Sequence, residues 1–136
     1  MGSYSPPYFW DDILSKNISD KIFQPVINAL MMSKSPFVGV LYCGLMLTKE
    51  GPKVLEFNCR LGDPETQVLL PLLKSDLLDI FMKSVEGKLD KCHIEWRKEK
   101  AIGVVLASDG YPGSYKTGYK ITENGKKDSK IFTFHA

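Results

Sequence analysis

The chain has little of what would tie it to a membrane, a nucleic acid or a disulfide framework. Cysteine occurs three times in 136 residues, as Cys43, Cys59 and Cys92. The number is odd, no Cys-x-x-Cys pair exists, and Cys92-His93 has no matching pair. Neither a disulfide framework nor a zinc site follows. Reduced thiols in a cytosolic protein are the expectation, with Cys59 turned into the core. Long hydrophobic runs are missing too: a stretch such as Val68 to Leu73 is far too short to span a bilayer. No basic segment followed by an apolar core opens the sequence, so no signal peptide is read. No charge of one sign dominates. Lys and Arg number 18 against 16 Asp and Glu, and a net +2 with both signs interspersed gives no argument for nucleic acid or an acidic membrane surface. Gly-rich phosphate loops of the Walker or dinucleotide type are absent, as are internal repeats and low-complexity tracts. His93 and His135 read as surface residues.

What is there reads as a globular chain. A hydrophobic content of 43% and a charged content of 25% exclude a disordered one, and the length suits one modest domain or parts of two. Residues 1–10 read as an ordered aromatic loop. Ile13, Leu14, Ile18, Ile22, Val26, Ile27 and Leu30 recur at helical spacing, with a kink or two abutting helices expected at Pro25. Phe37 to Thr48 reads as an apolar strand, and Lys49-Glu50-Gly51-Pro52 as a turn that makes a hairpin with the strand after it. A short helix over Glu65 to Leu70 stops at Pro71. Ser75 or Asp76 then caps a helix running to about Gly87, with Leu77, Leu78, Phe81, Met82 and Val85 on its buried side. Lys88 to Lys100 reads as a linker, Ala101 to Ala107 as a buried strand, and Lys120 to Thr122 and Ile131 to Phe134 as short strands. The composition shift near residue 95 divides the chain into 1–95 and 96–136, and the second part buries too little to stand alone. A truncated sequence is the expectation.

Chemistry concentrates in Val54-Leu55-Glu56-Phe57-Asn58-Cys59-Arg60. Strand alternation sends Val54, Glu56, Asn58 and Arg60 one way and Leu55, Phe57 and Cys59 the other. Same-face residues stand about 6.5–7 Å apart. Glu56 and Asn58 could therefore offer oxygen ligands to one hard cation, with Arg60 holding an anion beside it. The same alternation also suits the solvated face of an edge strand. Gly62-Asp63-Pro64 then reads as a turn into a helix, with Asp63 as N-cap and Pro64 at the first helical position.

The run from Met1 to about Ile121 resembles the phosphoribosylamine–glycine ligase family of the ATP-grasp superfamily. The resemblance is carried by Met1-Gly2-Ser3-Tyr4-Ser5-Pro6, Gly44-Leu45-Met46-Leu47-Thr48, Gly51 to Arg60, Gly62-Asp63-Pro64-Glu65-Thr66-Gln67 and Gly110-Tyr111-Pro112-Gly113-Ser114-Tyr115. It implies an α+β fold: the C-terminal subdomain of an ATP-grasp domain, an antiparallel sheet with helices packed on it, followed by the start of a small β-rich domain. It implies a ligase joining glycine to 5-phosphoribosylamine with ATP cleaved to ADP and phosphate, through an acyl phosphate, early in purine synthesis. The alternatives are another ATP-grasp carboxylate–amine ligase and a non-catalytic fragment. By the resemblance, Glu56 and Asn58 match the ligands of Mg²⁺ or Mn²⁺, and Arg60 matches the arginine near the acyl phosphate. Asp63 orients Arg60, meets the amine substrate or simply caps its helix. Met46 and Leu55 line the adenine pocket or pack in the core. Two departures stand out. Gly44 sits where many ATP-grasp enzymes carry another acidic ligand, and the family's N-terminal part is missing, so the fragment alone is expected to be inactive. Met1-Gly2 looks like the end of the family's Gly-Gly-Met-Gly loop.

Overall fold

The structure, a computed structural model, describes residues 1–123 and 128–135. Among the described residues, strands and helices mix in an α+β arrangement with two antiparallel pairs of strands. The first pair joins the first and last of the described strands. Residues Gly2–Ser5 form strand β1, where an ordered loop is expected from the sequence, and pair antiparallel with β4, Ala101–Val104. This pairing crosses the expected division between residues 95 and 96, and β4 is shorter than the expected Ala101–Ala107. Helix α3, Thr66–Leu69, lies against both strands. Val68 is its buried residue. A β-carbon at Gly103 of β4 would stand 3.1 Å from Val68 Cγ1, so glycine is what lets the helix approach this closely.

The second pair is the expected hairpin, β2 (Tyr42–Thr48) with β3 (Gly51–Asn58). Phe37 to Leu41 stays outside β2. Ile18 of α1 (Asp12–Ile18) and Phe23 of the π-helical turn Ser19–Phe23 stand on its apolar side, and α2 (Gln24–Met32) continues from that turn. Asp11 caps α1 by accepting from the Leu14 amide at 2.7 Å. Pro25 lies in the first turn of α2, and the backbone stays helical from Ile18 through Gln24, so the expected break takes the form of the π-turn just before Pro25. Ile18 and Ile22 are buried at this junction, whereas Ile13 is exposed. Trp10, Ile18 and Phe23 share an open apolar cleft of about 280 Å³ with Cys43, Leu45 and Leu47 of β2.

The short 3₁₀ turn at Leu70–Leu72 follows α3 and buries Leu72. Asp76 caps α4, Leu77–Val85, accepting from the Leu78 and Asp79 amides. The apolar side of α4 is not buried: Leu78 is 67% and Val85 74% exposed among the described residues. The expected linker is partly ordered, because Lys74 and Glu95 share a backbone hydrogen bond of 2.9 Å and Leu72 and Arg97 one of 2.7 Å. Residues 120–122 and 131–134 form no strand.

Candidate functional site

The hairpin decides which side chains share a face. Tyr42 pairs with Asn58, Cys43 with Phe57 and Gly44 with Glu56. The register then slips, so that Leu45 pairs with Val54 and Met46 with Lys53. Leu55 is thus an extra residue, a β-bulge. Paired residues project to the same side of a sheet. One face therefore carries Tyr42, Gly44, Met46, Lys53, Glu56 and Asn58, and the other carries Cys43, Leu45, Val54 and Phe57. The bulge overturns part of the simple alternation: Val54 leaves the polar stripe and joins the apolar face.

Glu56 and Asn58 do come together. Asn58 Nδ2 donates to Glu56 Oε1 at 2.9 Å, which leaves Asn58 Oδ1 and Glu56 Oε2 as the oxygen donors of the pair. Gly44 stands directly across from Glu56, and a β-carbon there would lie 3.0 Å from Glu56 Cγ. The residue in the place of a further acidic ligand is thus the one that makes room for Glu56. Among the described residues no group of three or more His, Cys, Asp or Glu is arranged to hold a metal. Two oxygen donors do fit Mg²⁺, which commonly binds through one or two side chains and completes its shell with phosphates and water.

Among the described residues no hydrogen bond or ion pair joins Arg60 to this pair. β3 ends at Asn58, so strand alternation does not carry the stripe to Arg60, whose guanidinium donates to the Leu61 carbonyl at 2.8 Å. Cys59, expected in the core, is exposed for the same reason. Asp63 is not an N-cap and Pro64 is not the first helical residue. The Gly62 carbonyl accepts from both the amide and the hydroxyl of Thr66, which moves the helix start to Thr66, and Asp63 Oδ1 accepts instead from Gln67 Nε2 at 3.0 Å. Met46 is on the Glu56 face and 53% exposed. Leu55, the bulged residue, is 64% exposed, so neither is core.

Two further groups complete the site. Tyr42 Oη donates to Glu65 Oε1 at 3.1 Å, and Ser3 Oγ donates to the Pro64 carbonyl at 2.8 Å. Burial, the hydrogen bond to Glu65 and the charges of Glu65 and Glu56 push the Tyr42 phenol above its ordinary value; burial also pushes the Cys43 thiol up. The larger depression of the surface, about 650 Å³ between Ser108 and Tyr119, includes none of these residues. It lies on an exposed loop, and the hairpin's chemistry outweighs its size.

Residues 1–66 match a family profile described as phosphoribosylglycinamide synthetase, ATP-grasp (A) domain. The whole chain aligns with phosphoribosylamine–glycine ligase of Caldanaerobacter subterraneus at 51% identity, covering 32% of that protein. It aligns with the ligase of Halalkalibacterium halodurans at 46% identity, covering 31%. It is also 48% identical to the trifunctional purine biosynthetic protein adenosine-3 of Gallus gallus, over 100% of this chain and 14% of that one.

The chain is similar along its whole length to phosphoribosylamine–glycine ligases. It spans about a third of the length of the single-function relatives it matches. The sequence pattern singles out Glu56, Asn58 and the Gly62–Gln67 turn but not the hydrogen bonds that Tyr42, Glu65 and Ser3 make around them. Tyr42 sits two residues before Gly44, so it belongs on the Glu56 face once the hairpin register is known. That register depends on the bulge at Leu55, which no alternation reveals.

Proposed function

We propose that this segment supplies the cation- and phosphate-handling face of an ATP-dependent ligase that joins glycine to 5-phosphoribosylamine. The observation that carries the proposal is the Glu56–Asn58 contact on one face of the hairpin, next to the braced Gly62–Gln67 turn, in a chain similar to these ligases. In the proposed reaction the glycine carboxylate takes the γ-phosphoryl group of ATP, releasing ADP. The amine nitrogen then attacks the acyl carbon, and phosphate and a proton leave.

Glu56 Oε2 and Asn58 Oδ1 are the groups that would hold Mg²⁺ or Mn²⁺. Bound there, the ion supplies charge neutralisation for the phosphates and for the group in transfer. Arg60 is proposed as the catalytic cation for the acyl phosphate, its fork of N–H donors suited to phosphate oxygens once it exchanges the Leu61 carbonyl for that anion. Asp63 is proposed to meet the amine substrate, its carboxylate held by Gln67. Met46 and Leu55 offer exposed apolar surface to the adenine ring. The apolar sides of α4 and β4, exposed at Leu78, Val85, Ile102 and Val104, are expected to lie against the remainder of the enzyme.

The test is turnover of the full-length enzyme, read as ADP release that requires both glycine and 5-phosphoribosylamine. Glu56→Ala is expected to lower it by about a hundredfold or more while the fold is retained. Wild-type turnover in that variant contradicts the proposal.

A further inference from the structure

Tyr42 and Glu65 touch neither the cation nor the phosphates in the reaction above, yet they join the two parts of the site. Tyr42 is the cross-strand neighbour of Asn58, so it stands on the same face as the proposed cation ligands. Its hydroxyl donates to Glu65 Oε1 across 23 residues of sequence, and its ring closes on Gly62, where a β-carbon would lie 3.0 Å from Tyr42 Cε2. From the other sheet, Ser3 of β1 donates to the Pro64 carbonyl. Among the described residues these are the two side-chain hydrogen bonds that fasten the 62–65 turn to the strands. The remaining ones, from Thr66 to Gly62 and from Gln67 to Asp63, lie within the turn and the helix it starts.

Only the Tyr42 bond runs to the strand pair that carries Glu56 and Asn58. We infer that Tyr42 is a positioning residue: through Glu65 its hydroxyl fixes the 62–65 turn relative to the Glu56 and Asn58 face, and so sets where Arg60 and Asp63 stand towards the reacting groups. At 3.1 Å the bond is longer than a short charge-assisted one, but it is directional and ties two segments far apart in the sequence. Small displacements of groups around a reacting centre lower the rate steeply, even when the displaced residue is itself inert. The role needs an acceptor oxygen at residue 65 and not a negative charge. This inference rests on the ligase reading above.

The experiment uses the full-length ligase and steady-state kinetics with ATP, glycine and 5-phosphoribosylamine. Tyr42→Phe keeps the ring over Gly62 and removes only the tether. It is expected to lower kcat about tenfold while KM for ATP stays within about twofold. Glu65→Ala is expected to do the same, and the double variant no worse than either single change, because both remove one contact. Glu65→Gln keeps an oxygen that accepts from Tyr42 and is expected to retain about half of kcat or more. Unchanged kcat in Tyr42→Phe overturns the inference, whatever the change in melting temperature. So does a Glu65→Gln enzyme as impaired as Glu65→Ala, since charge would then be the operative property. If Tyr42→Phe does not fold, the Gln and Ala changes at residue 65 decide alone. The wild-type enzyme and Glu56→Ala, measured in parallel, separate the claims. Lack of ADP release dependent on glycine and 5-phosphoribosylamine in the wild-type enzyme sinks the ligase reading, and wild-type turnover in Glu56→Ala sinks the cation role of Glu56. Lost turnover in Glu56→Ala with wild-type kcat in Tyr42→Phe sinks only the role given to Tyr42.

Discussion

Replacing Gly62 by alanine is the sharpest structural perturbation the site offers. Gly62 is buried, and a β-carbon on it would overlap a Glu65 carboxylate oxygen and stand 3.0 Å from Tyr42 Cε2 and 3.1 Å from Glu65 Cβ. The obstacle is space rather than backbone conformation. The Glu65 side chain has a way out, but only by leaving Tyr42. Losing that hydrogen bond costs about 1 kcal/mol. Pressing the new methyl against the Tyr42 ring and the Glu65 stem adds about 1–3 kcal/mol. The sum, about 2–4 kcal/mol, corresponds to a roughly 30- to 1,000-fold easier opening of the turn. Amide hydrogen exchange in the full-length enzyme reads this directly, because the Thr66 and Leu69 amides are bonded to the Gly62 and Glu65 carbonyls at 3.0 Å. Exchange of residues 66–69 is expected to accelerate within that range in Gly62→Ala. Exchange within about threefold of wild type would refute the claim that Tyr42 and Glu65 fill the space above Gly62.

Other outcomes follow from the same geometry. The Tyr42 phenol donates to Glu65 only while protonated, and its folded value is raised above the ordinary 10.0. The stability this bond contributes is therefore whole below about pH 10 and lost as pH rises through the raised value. The melting-temperature difference between wild type and Tyr42→Phe is expected to be constant from about pH 7 to 9 and to close at higher pH; a difference that widens there contradicts the assignment. Val68 is 2% exposed and packs on Gly103, so Val68→Ala is expected to destabilise by about 2 kcal/mol, measured as a shift of the urea midpoint at unchanged slope.

The sequence makes the hairpin, the Asp76 cap and the Glu56–Asn58 pair legible because each is local: turn residues, a capping carboxylate and a two-residue spacing. What it hides is non-local. Gly2–Ser5 reads as a loop because its partner, Ala101–Val104, is the last of the described strands. Val54 and Arg60 are misplaced by one bulge and one strand end. Asp63 reads as a cap because Asp before Pro suits that role, but the Thr66 amide and hydroxyl both turn to Gly62 and start the helix later. The buried side expected for α4 is an intrinsic pattern without a described partner, as exposed Leu78 and Val85 show.

The central claim is that Glu56 and Asn58 jointly hold a divalent cation beside ATP. Mn²⁺ binding to the full-length enzyme with ATP present, followed by electron paramagnetic resonance, tests it directly. The account predicts that Glu56→Ala and Asn58→Ala each weaken Mn²⁺ binding by about tenfold or more, whereas Val54→Ala, on the opposite face of the bulged strand, leaves it unchanged. Wild-type Mn²⁺ affinity in both Glu56→Ala and Asn58→Ala would contradict it.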